Sequence, residues 1–483
     1  MHKNDFPLLL SVILASFLFG TGYFNTSNLQ NSSSKCNNKL SNKSPDKKLV
    51  FIILDGFRYD YLEIFKHELS FLHRNNESSN AWLFKTKSGM PTVTMPQIKS
   101  MVIGNHATYL DLWNNFGISG IAINQDSLIH QLKKAGKRIN FYGDDTWLKL
   151  YPDIFDESEG THSFEVRDYT EVDNNVTRHI DENLKHQPDV LILHYLGIDH
   201  IGHFKKPDTS IGRRTLKKKM QEMNNIMHKI SEETDDNTLI LVTGDHGMHE
   251  QGIHGGSHYT ERYTFTGFVF KEIVQQPSFH QINIIDIAPT AASLLGVPVP
   301  QKSLGEAHSD DKTTLIRAIE FLSCRIGKSI RINLESKTVI ELANIQREIA
   351  EEIEQNSKTS VDFTATIGAI ILLLICIWYF ILKTYGLRIQ VAFLSMARPS
   401  NLFLLVPGFL LFSSSYIEEE YLVWNYLVSL NLIWNLLESL RYAKKISFGP
   451  ESQMIAIWFV LSRWKYTGDI WKDEYCIRRV ENS

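Results

Sequence analysis

Short apolar runs alternate with helical periodicity along the middle of the chain, and this pattern predicts its fold. Four runs are nearly continuous in Val, Ile and Leu, as buried strands are. These runs are KLVFIILD (48–55), RINFYGDD (138–145), DVLILHYL (189–196) and TLILVTGD (238–245). The helical patterns between them are at 126–136, 172–186 and 209–232. Buried strands separated by helices predict an α/β fold, in which a mostly parallel sheet is covered by helices on both faces.

Long uncharged runs outside this region predict membrane segments. Residues 7–24 read as a signal peptide or a signal anchor, and the absence of a small-x-small cleavage pattern after them favours the anchor. Residues 363–382 form a run of twenty uncharged residues, which is long enough to cross a bilayer. Two further runs, 399–417 and 421–437, flank an acidic triplet and predict a helical hairpin in the membrane.

The charges that flank these runs predict their orientation. Basic residues follow the second and the fourth run, so the positive-inside rule places those loops in the cytosol and residues 25–361 on the other side. Five N-x-S/T sequons agree with a lumenal domain, whereas five lysines between residues 35 and 48 oppose it. The candidate glycosylation sites are Asn25, Asn31, Asn42, Asn76 and Asn175.

Composition excludes some classes of protein. With 43% hydrophobic residues, 22% charged residues and a net charge of −4, the chain is neither disordered nor a basic protein of the kind that binds nucleic acid. It has four cysteines, and Cys376 lies in a predicted membrane run, so no disulfide framework is indicated. A single bridge between Cys36 and Cys324 is compatible with the sequence, which does not establish it.

Polar residues of the metal-ligand type stand at three of the predicted strand ends. Asp55 ends the first strand, Asp199 and His203 follow the third, and Asp245 and His246 stand at the end of the fourth. In open α/β sheets, ligands bind beyond the carboxyl ends of the strands. Side-chain packing alone does not explain why three strand ends carry Asp and His residues, so we expect these side chains to form one site.

The spacing of these residues is compatible with shared ions. Asp199 and His203 are four residues apart, so one helical turn places them on the same face. Taken alone, such a pair is more typical of a surface salt bridge. Asp245 and His246 are adjacent, and both reach one ion only if the backbone bends sharply, which the flanking glycines permit.

The types and number of ligands predict two metal ions. Mixed Asp and His ligands suit zinc, with manganese as the alternative. The candidates are too many for one tetrahedral centre, whereas two ions with about three protein ligands each fit the count. Paired ions stabilise the attacking and leaving oxygens in displacement at phosphorus. The candidates are Asp55, Asp199, His203, Asp245, His246 and His254, with His258 in reserve.

Thr94 is the candidate nucleophile. It precedes Pro96 and a helical pattern in the stretch 88–104, and proline is favoured in the first turn of a helix. At a helix N-terminus, free N–H groups and the dipole favour a phosphate, and a nearby metal ion makes a hydroxyl easier to deprotonate. Without the metal candidates, Thr94 would be interpreted as a simple N-cap, although Thr92 is the more ordinary cap.

In combination, these motifs resemble the alkaline phosphatase superfamily of metal-dependent phosphoryl-transfer enzymes. Asp55-Gly56, PTVTMP, LHYLGIDHIGH and GDHGM followed by HGG occur in the order that this superfamily uses. The stretches AGKRINFYGDDTW (135–147), DYTEVDNNVTRHID (168–181) and LHYLGIDHIGH are similar to the GPI ethanolamine phosphate transferases, and most of all to their type 2 branch. The resemblance covers residues 49–270.

The resemblance implies a multi-pass protein of the endoplasmic reticulum membrane with a lumenal catalytic domain. Members of the family move phosphoethanolamine from phosphatidylethanolamine to a mannose of the GPI anchor precursor, and the type 2 branch modifies the second mannose. The implied partners are therefore both lipids, the bilayer and a small multi-spanning stabilising subunit.

The resemblance also implies roles for single residues. Thr94 is implied to be the nucleophile that carries phosphoethanolamine between donor and acceptor. His258 lies close enough to His254 in the sequence to compete for its role, and His249 has no counterpart and is interpreted as a surface residue. The implied ligands are Asp55, Asp245 and His246 for the ion beside the nucleophile, and Asp199, His203 and His254 for the second ion.

The chain departs from the family pattern in two places. Gln97 stands where members commonly carry arginine, which predicts weaker activity if that arginine binds phosphate. The long membrane region of the family is reduced to about three runs and a polar tail, which puts the handling of the acceptor lipid in question.

Two other functions fit parts of the pattern. A membrane-anchored phosphodiesterase or nucleotide pyrophosphatase would use the same metals with water as the acceptor. A non-catalytic subunit that kept the fold is the third interpretation, and the complete ligand set opposes it.

These patterns predict six segments. They are a signal anchor or transmembrane segment (1–24), a linker (25–48), a lumenal metal-dependent phosphoryl-transfer domain (49–330), a helical stalk (331–361), a membrane region of about three helices (362–445) and a polar tail (446–483).

Overall fold

The structure is a computed structural model, which describes residues 36–42, 46–106, 125–161, 165–275, 277, 279–330 and 332–353. No helix within these ranges is long and apolar enough to cross a bilayer. Several predictions fall on residues outside the described ranges. They are the uncharged runs 7–24, 363–382, 399–417 and 421–437 and the sequon residues Asn25 and Asn31.

In the described part of the chain, eight strands form one sheet with the order β4-β3-β5-β1-β6-β7-β2-β8. Among the described strands, only β7 runs antiparallel to its neighbours, and every other pairing is parallel. The predicted, mostly parallel α/β sheet is therefore confirmed. The strands are Lys48–Leu54 (β1), Ala81–Lys87 (β2), Ile139–Asp144 (β3), Glu157–Thr161 (β4), Val190–Tyr195 (β5), Thr238–Thr243 (β6), Tyr263–Val269 (β7) and Gln281–Asn283 (β8).

Helices connect most of these strands. Within the described ranges, Ile284–Asp286 and Leu334–Ser336 form 3₁₀ turns, and residues 339–353 are also helical. The α-helices are Tyr61–Ile64 (α1), Ser70–Glu77 (α2), Thr94–Ile103 (α3), Leu128–Lys134 (α4), Thr146–Leu150 (α5), Glu171–Thr177 (α6), Ile180–His186 (α7), Gly197–Lys205 (α8), Ser210–Glu233 (α9), Tyr259–Arg262 (α10), Ile287–Leu295 (α11) and Lys312–Arg325 (α12).

Strand β1 shows why the central strands are apolar along their whole length. Successive side chains of a strand point to opposite faces, and both faces of this sheet are covered. Leu49, Phe51 and Ile53 pack with side chains of α3, α4, α11 and α12. Val50, Ile52 and Leu54 pack with side chains of α6, α7, α8 and α9.

The four predicted strands are all present, whereas the predicted helix 172–186 is two helices, α6 and α7. The break falls at Arg178 and His179. The His179 ring stacks on Tyr142 at 4.0 Å between centroids, and its Nε2 lies 2.8 Å from Glu159 Oε2. These contacts draw the turn toward β3 and β4, and the helix restarts after it.

A disulfide joins Cys36 to Cys324, close to the end of α12. The same stretch is fixed by Asn38, whose carbonyl accepts a hydrogen bond from Val299 N at 2.8 Å and whose Nδ2 donates to Val299 O at 2.7 Å. The sequence was compatible with this disulfide without establishing it, and the structure contains it. The disulfide links the segment before β1 to α12.

Candidate active site

The predicted polar residues meet at one edge of the sheet. Asp55 follows β1 directly, and Asp199 and His203 lie on α8, which begins just after β5. Asp245 and His246 lie just past the end of β6. Because β5, β1 and β6 are parallel neighbours, their carboxyl ends are adjacent, as is typical of ligand sites in such sheets.

Asp55, Asp245 and His246 form the first ligand group. One ligand atom from each lies within 4.8 Å of the others. His246 Nε2 is 3.5 Å from Asp55 Oδ1 and 3.4 Å from Asp245 Oδ2. All three residues are buried, so this group has the closeness and the shielding from water that an ion site needs.

Asp199, His203 and His254 form the second ligand group. His203 Nε2 is 3.2 Å from Asp199 Oδ2 and 3.0 Å from His254 Nε2, and His254 Nε2 is 3.6 Å from Asp199 Oδ1. His246 also has a ligand atom within 4.8 Å of Asp199 and His254, and its ring stacks on His254 at 4.1 Å. The two groups are therefore in direct contact.

Each of the three histidines presents Nε2 to the site. Their Nδ1 atoms bond to carbonyl oxygens: His246 to Gly247 at 2.8 Å, His203 to Gly252 at 2.7 Å and His254 to Thr92 at 2.8 Å. A carbonyl only accepts, so Nδ1 carries the proton and donates it. Nε2 is therefore the ring nitrogen turned toward the ligand groups, as in histidines that bind a metal ion through Nε2.

The carboxylates are short of hydrogen-bond donors. Within the described part of the chain, Asp55 Oδ1, Asp199 Oδ1 and Asp245 Oδ2 are buried and have no hydrogen-bond partner. Burial raises the pKa of Asp55 well above its usual value, and the charges of Asp245 and Asp199 raise it further. Buried carboxylates with free oxygens, mixed with imidazole nitrogens, fit divalent cations such as zinc.

In the second ligand group, Asp199 and His203 form an ion pair. Burial alone would lower the pKa of His203, but Asp199 raises it to about 9. Burial opposes ionisation of Asp199 as well, yet His203 holds the pKa of that carboxyl below its usual range. Burial lowers the pKa of His254 to about 3, so this ring stays neutral and an ion would not have to displace a second proton from it.

Thr94 is the first residue of α3, and Val93 before it is extended. Its Oγ1 lies 3.4 Å from Asp55 Oδ2 and 3.5 Å from His246 Nε2, so the hydroxyl faces the first ligand group. The side chain is partly exposed and does not cap the helix. The hydroxyl is therefore reachable by a substrate and adjacent to candidate ligands, beside the positive end of a helix dipole.

Thr92 links the nucleophile loop to the ligand loop. Its buried Oγ1 accepts from Gly255 N at 2.8 Å and donates to Gly256 O at 3.0 Å. Its carbonyl accepts the Nδ1–H of His254. Thr92 therefore braces the loop before Thr94 against the loop that carries His254.

His258 and His249 belong to neither ligand group. His258 Nδ1 bonds to Thr260 Oγ1 at 2.8 Å, and its ring contacts that of His249 at 4.7 Å between centroids. His249 is half-buried rather than on the surface, and burial lowers its pKa to about 4. The geometry thus brings His254, and not His258, to Asp199.

The side chain of Gln97 does not face the site. It is fully buried, and its Oε1 accepts from Gly89 N at 3.0 Å while its Nε2 donates to the carbonyls of Gly89 (3.1 Å) and Pro91 (2.5 Å). In this chain, position 97 therefore holds the loop before α3 in place.

Glycines beside the site are required mainly by close packing. A Cβ at Gly244 would lie 1.9 Å from Thr264 Oγ1, and one at Gly247 would lie 1.9 Å from Thr260 O. Neither has a left-handed φ, so the sharp bend expected at these glycines is not what requires them. Gly56 does have a φ of +68°, and its Cβ would lie 2.9 Å from Asp199.

Sequence reasoning missed His194 and Trp147. His194 lies on β5 and is fully buried, with its Nε2 3.5 Å from Asp55 Oδ2. Trp147 Nε1 donates to His194 Nδ1 at 3.0 Å. The available signal was a histidine within an otherwise apolar strand that leads to Asp199, a position where a polar ring needs partners.

Three of the candidate glycosylation residues are described. Asn42 is exposed, and its Oδ1 accepts from Arg317. Asn76 and Asn175 are partly exposed and lie in α2 and α6.

The fold and the site define an α/β protein with a buried Asp/His site of the metal-ligand type beside a threonine at a helix N-terminus. The sequence profile of the family described as Sulfatase matches residues 47–297, more than half of the chain, and the chain belongs to this family.

Curated relatives are similar over most of the chain. GPI ethanolamine phosphate transferase 2 of Kluyveromyces lactis is 31% identical over 466 residues, covering 88% of this chain and 57% of that protein. The protein of the same name from Schizosaccharomyces pombe is 32% identical over 526 aligned positions, covering 98% of this chain and 66% of that protein. The predicted resemblance is thereby confirmed. The chain spans between 57% and 66% of the length of these two relatives.

Solved structures are more distant. The C-terminal periplasmic domain of EcEptC from Escherichia coli is 14% identical, with a TM-score of 0.40, covering 55% of this chain and 86% of that chain. A similarity of this size supports no inference about function.

Proposed function

We propose that the chain transfers phosphoethanolamine from phosphatidylethanolamine to a mannose of the GPI anchor precursor, the second mannose. The names of its relatives support transfer of ethanolamine phosphate to a GPI acceptor, and the donor lipid follows from the family resemblance. The observation that carries the chemistry is the position of Thr94 Oγ1, 3.4 Å from Asp55 Oδ2 and 3.5 Å from His246 Nε2 at the start of α3.

The proposed reaction is a double displacement at phosphorus. Thr94 Oγ1 attacks the donor, a new O–P bond forms, and the bond to the diacylglycerol oxygen breaks. Diacylglycerol leaves with a proton, and phosphoethanolamine stays on Thr94. The mannose hydroxyl then attacks the same phosphorus and loses its proton, and Thr94 leaves as a hydroxyl. The free N–H groups at the start of α3 favour the negative charge on the phosphate oxygens.

Two divalent ions, zinc or manganese, would supply the positive charge that this chemistry needs at the attacking and leaving oxygens. The first ligand group would hold one ion and the second ligand group the other. Each histidine turns one ring nitrogen toward the site, so His246 would serve one ion, and its distances of 3.4 to 3.5 Å to Asp245 and Asp55 favour the first. His203 then completes the second with Asp199 and His254.

The proposed setting follows from the relatives and from the sequence pattern. The protein would act in the endoplasmic reticulum membrane as a multi-pass chain with its catalytic domain in the lumen. The bilayer and a small multi-spanning subunit would be its partners. The asparagines Asn42, Asn76 and Asn175 would be open to glycosylation there, in keeping with their exposure.

The test is glycolipid profiling of cells that lack the native enzyme. Expression of this chain should restore the GPI precursor that carries phosphoethanolamine on the second mannose, and Thr94→Ala should restore none of it. Thr94→Ser, which keeps a hydroxyl, should restore part.

Full rescue by Thr94→Ala would overturn the role of Thr94. Release of product from a soluble phosphodiester by the wild-type chain, without any modified glycolipid, would favour the hydrolase instead.

A further inference from the structure

The motif GDDTW (143–147) has no part in the chemistry described so far. It spans the end of β3 and the start of α5. Trp147 is fully buried, its ring meets Phe51 edge-on at 6.3 Å, and it packs on Phe141 at 5.6 Å. Its Nε1–H points at His194 and donates to Nδ1 at 3.0 Å. The motif thus ends in a rigid donor aimed at a histidine beside the site.

Close packing holds β3 against His194. Gly143 of the same motif has a φ of +143°, and a Cβ there would lie 2.4 Å from His194 O and 2.7 Å from His194 Cβ. Only glycine fits this approach. The motif therefore supplies both the space for His194 and the hydrogen bond that orients its ring.

The partner of His194 fixes its tautomer. An indole N–H only donates, so Nδ1 of His194 must accept and carries no proton. In the neutral ring the proton is then on Nε2. This is the reverse of His246, His203 and His254, whose Nδ1 atoms donate to carbonyls. His194 therefore turns an N–H toward the site, whereas the other three histidines carry their Nδ1 proton on the side away from it.

The Nε2–H of His194 has one evident target. Nε2 is buried, has no hydrogen-bond partner among the described residues, and lies 3.5 Å from Asp55 Oδ2. That oxygen is also the one that Thr94 Oγ1 approaches at 3.4 Å, whereas Asp55 Oδ1 faces His246. Asp55 Oδ2 thus faces the two donors, His194 and Thr94, and Asp55 Oδ1 faces His246 of the first ligand group.

We propose that His194, oriented by Trp147, is a positioning residue that donates Nε2–H to Asp55 Oδ2. The bond turns Asp55 so that Oδ1 meets the first ligand group while Oδ2 receives the Thr94 hydroxyl. Partners of this kind behind a metal ligand typically change metal affinity about 10- to 100-fold when they are removed. The consequence for transfer rests on the proposed function, whereas the consequence for ion binding does not.

The test measures zinc affinity of the purified full chain by titration against a competing chelator. Trp147→Phe keeps the ring packing and removes the N–H, and His194→Leu removes the donor to Asp55. Both should weaken binding of the first zinc ion about 10-fold or more. His194→Gln keeps an N–H near the position of Nε2 and should retain most of the affinity.

Tyr151→Phe is the matched control. Tyr151 is buried next to α5 and its hydroxyl donates to Ser127 Oγ at 3.0 Å, away from the ligand groups. It should lose thermal stability as Trp147→Phe does, with zinc affinity unchanged. If His194→Leu does not fold, Trp147→Phe and His194→Gln still decide the question.

Two results would overturn the inference: wild-type zinc affinity in Trp147→Phe, or an equal loss of affinity in Tyr151→Phe. In a transfer assay, the variants should lower kcat more than they change KM, because the geometry of Thr94 and Asp55 is affected and substrate contacts are not. The wild-type chain could show no transfer activity while the variants still differ in zinc affinity as expected. In that case the proposed function is wrong and this inference is supported.

Discussion

His254 Nε2 lies 3.0 Å from His203 Nε2, and both nitrogens face the carboxylate of Asp199. Despite burial, Asp199 raises the pKa of His203 to about 9, so an ion that binds here would replace the proton on that ring. We expect His254→Ala to lose one of two bound zinc ions and to lower transfer by more than the 10- to 100-fold typical of outer partners. Metal content by mass spectrometry, together with a transfer assay, measures both effects.

His258→Ala is the control for that experiment, because His258 contacts Thr260 and His249 instead of Asp199. This variant should keep both ions and nearly normal transfer. Loss of an ion from His258→Ala, with both retained in His254→Ala, would reverse the assignment.

Gly56→Ala should damage the site through a single methyl group. The added Cβ would lie 2.9 Å from the Cα, Cβ and Oδ1 atoms of Asp199, and the φ of +68° adds strain of about 1–2 kcal/mol. Because Asp199 must move, we expect loss of zinc from the second ligand group. Gly136→Ala is a control with a similar backbone conformation, since Gly136 has a φ of +80° but no described atom lies within 4 Å of its added Cβ.

Gly136→Ala should therefore lose stability without losing zinc. Thermal unfolding and zinc content of the two variants separate backbone strain from displacement of Asp199. Equal zinc content in both would mean that Asp199 tolerates the methyl group.

The sequence predicts the central strands and most of the ligand groups, because both follow simple rules. A strand covered on both faces is apolar throughout, as β1 is, and polar residues just past such strands stand out. Strand β4 was not predictable in this way, since ESEGT lies at the sheet edge and is largely exposed. The role of His194 was not predictable because this residue lies inside an apolar strand and its partner Trp147 is distant in the sequence. Only the tertiary structure brings the two side chains together.

Gln97→Met tests whether position 97 serves the loop or the substrate. Methionine fills a similar volume but leaves Gly89 N and the carbonyls of Gly89 and Pro91 without their partner. An unsatisfied buried group costs about 1–3 kcal/mol, so the melting temperature should fall. Transfer should fall as well, because this loop leads directly into Thr94.

Gln131→Met is the matched control, since Gln131 of α4 is also buried and its Nε2 donates to both carboxylate oxygens of Asp126, which precedes that helix. It should lower stability with little effect on transfer. If position 97 instead lies where a phosphate binds, Gln97→Arg would raise transfer. We expect it to lower both transfer and stability, because a charged guanidinium would replace a fully buried amide.

Glu306 should make stability depend on pH. Burial, and then the charge of the adjacent Asp286, raise its pKa from 4.5 to about 7. The folded protein therefore keeps this proton up to about pH 7, whereas the unfolded chain loses it near pH 4.5. The contribution of Glu306 to the free energy of unfolding is complete below pH 4.5 and is lost as pH rises to 7, by at most about 3 kcal/mol.

Glu306→Gln mimics the protonated side chain, so its stability should stay flat where that of the wild type declines. Melting temperatures of both proteins at pH 5 and pH 8 measure the difference, and the variant should be the more stable one at pH 8. Glu341→Gln should show the opposite sign, because backbone and side-chain bonds from Thr338 and the partner Lys337 lower the pKa of Glu341 to about 2. It should be less stable than the wild type at pH 8. A Glu306→Gln variant that is the less stable one at pH 8 would mean that Glu306 is ionised and held by Arg347, whose Nε lies 3.5 Å from Oε2.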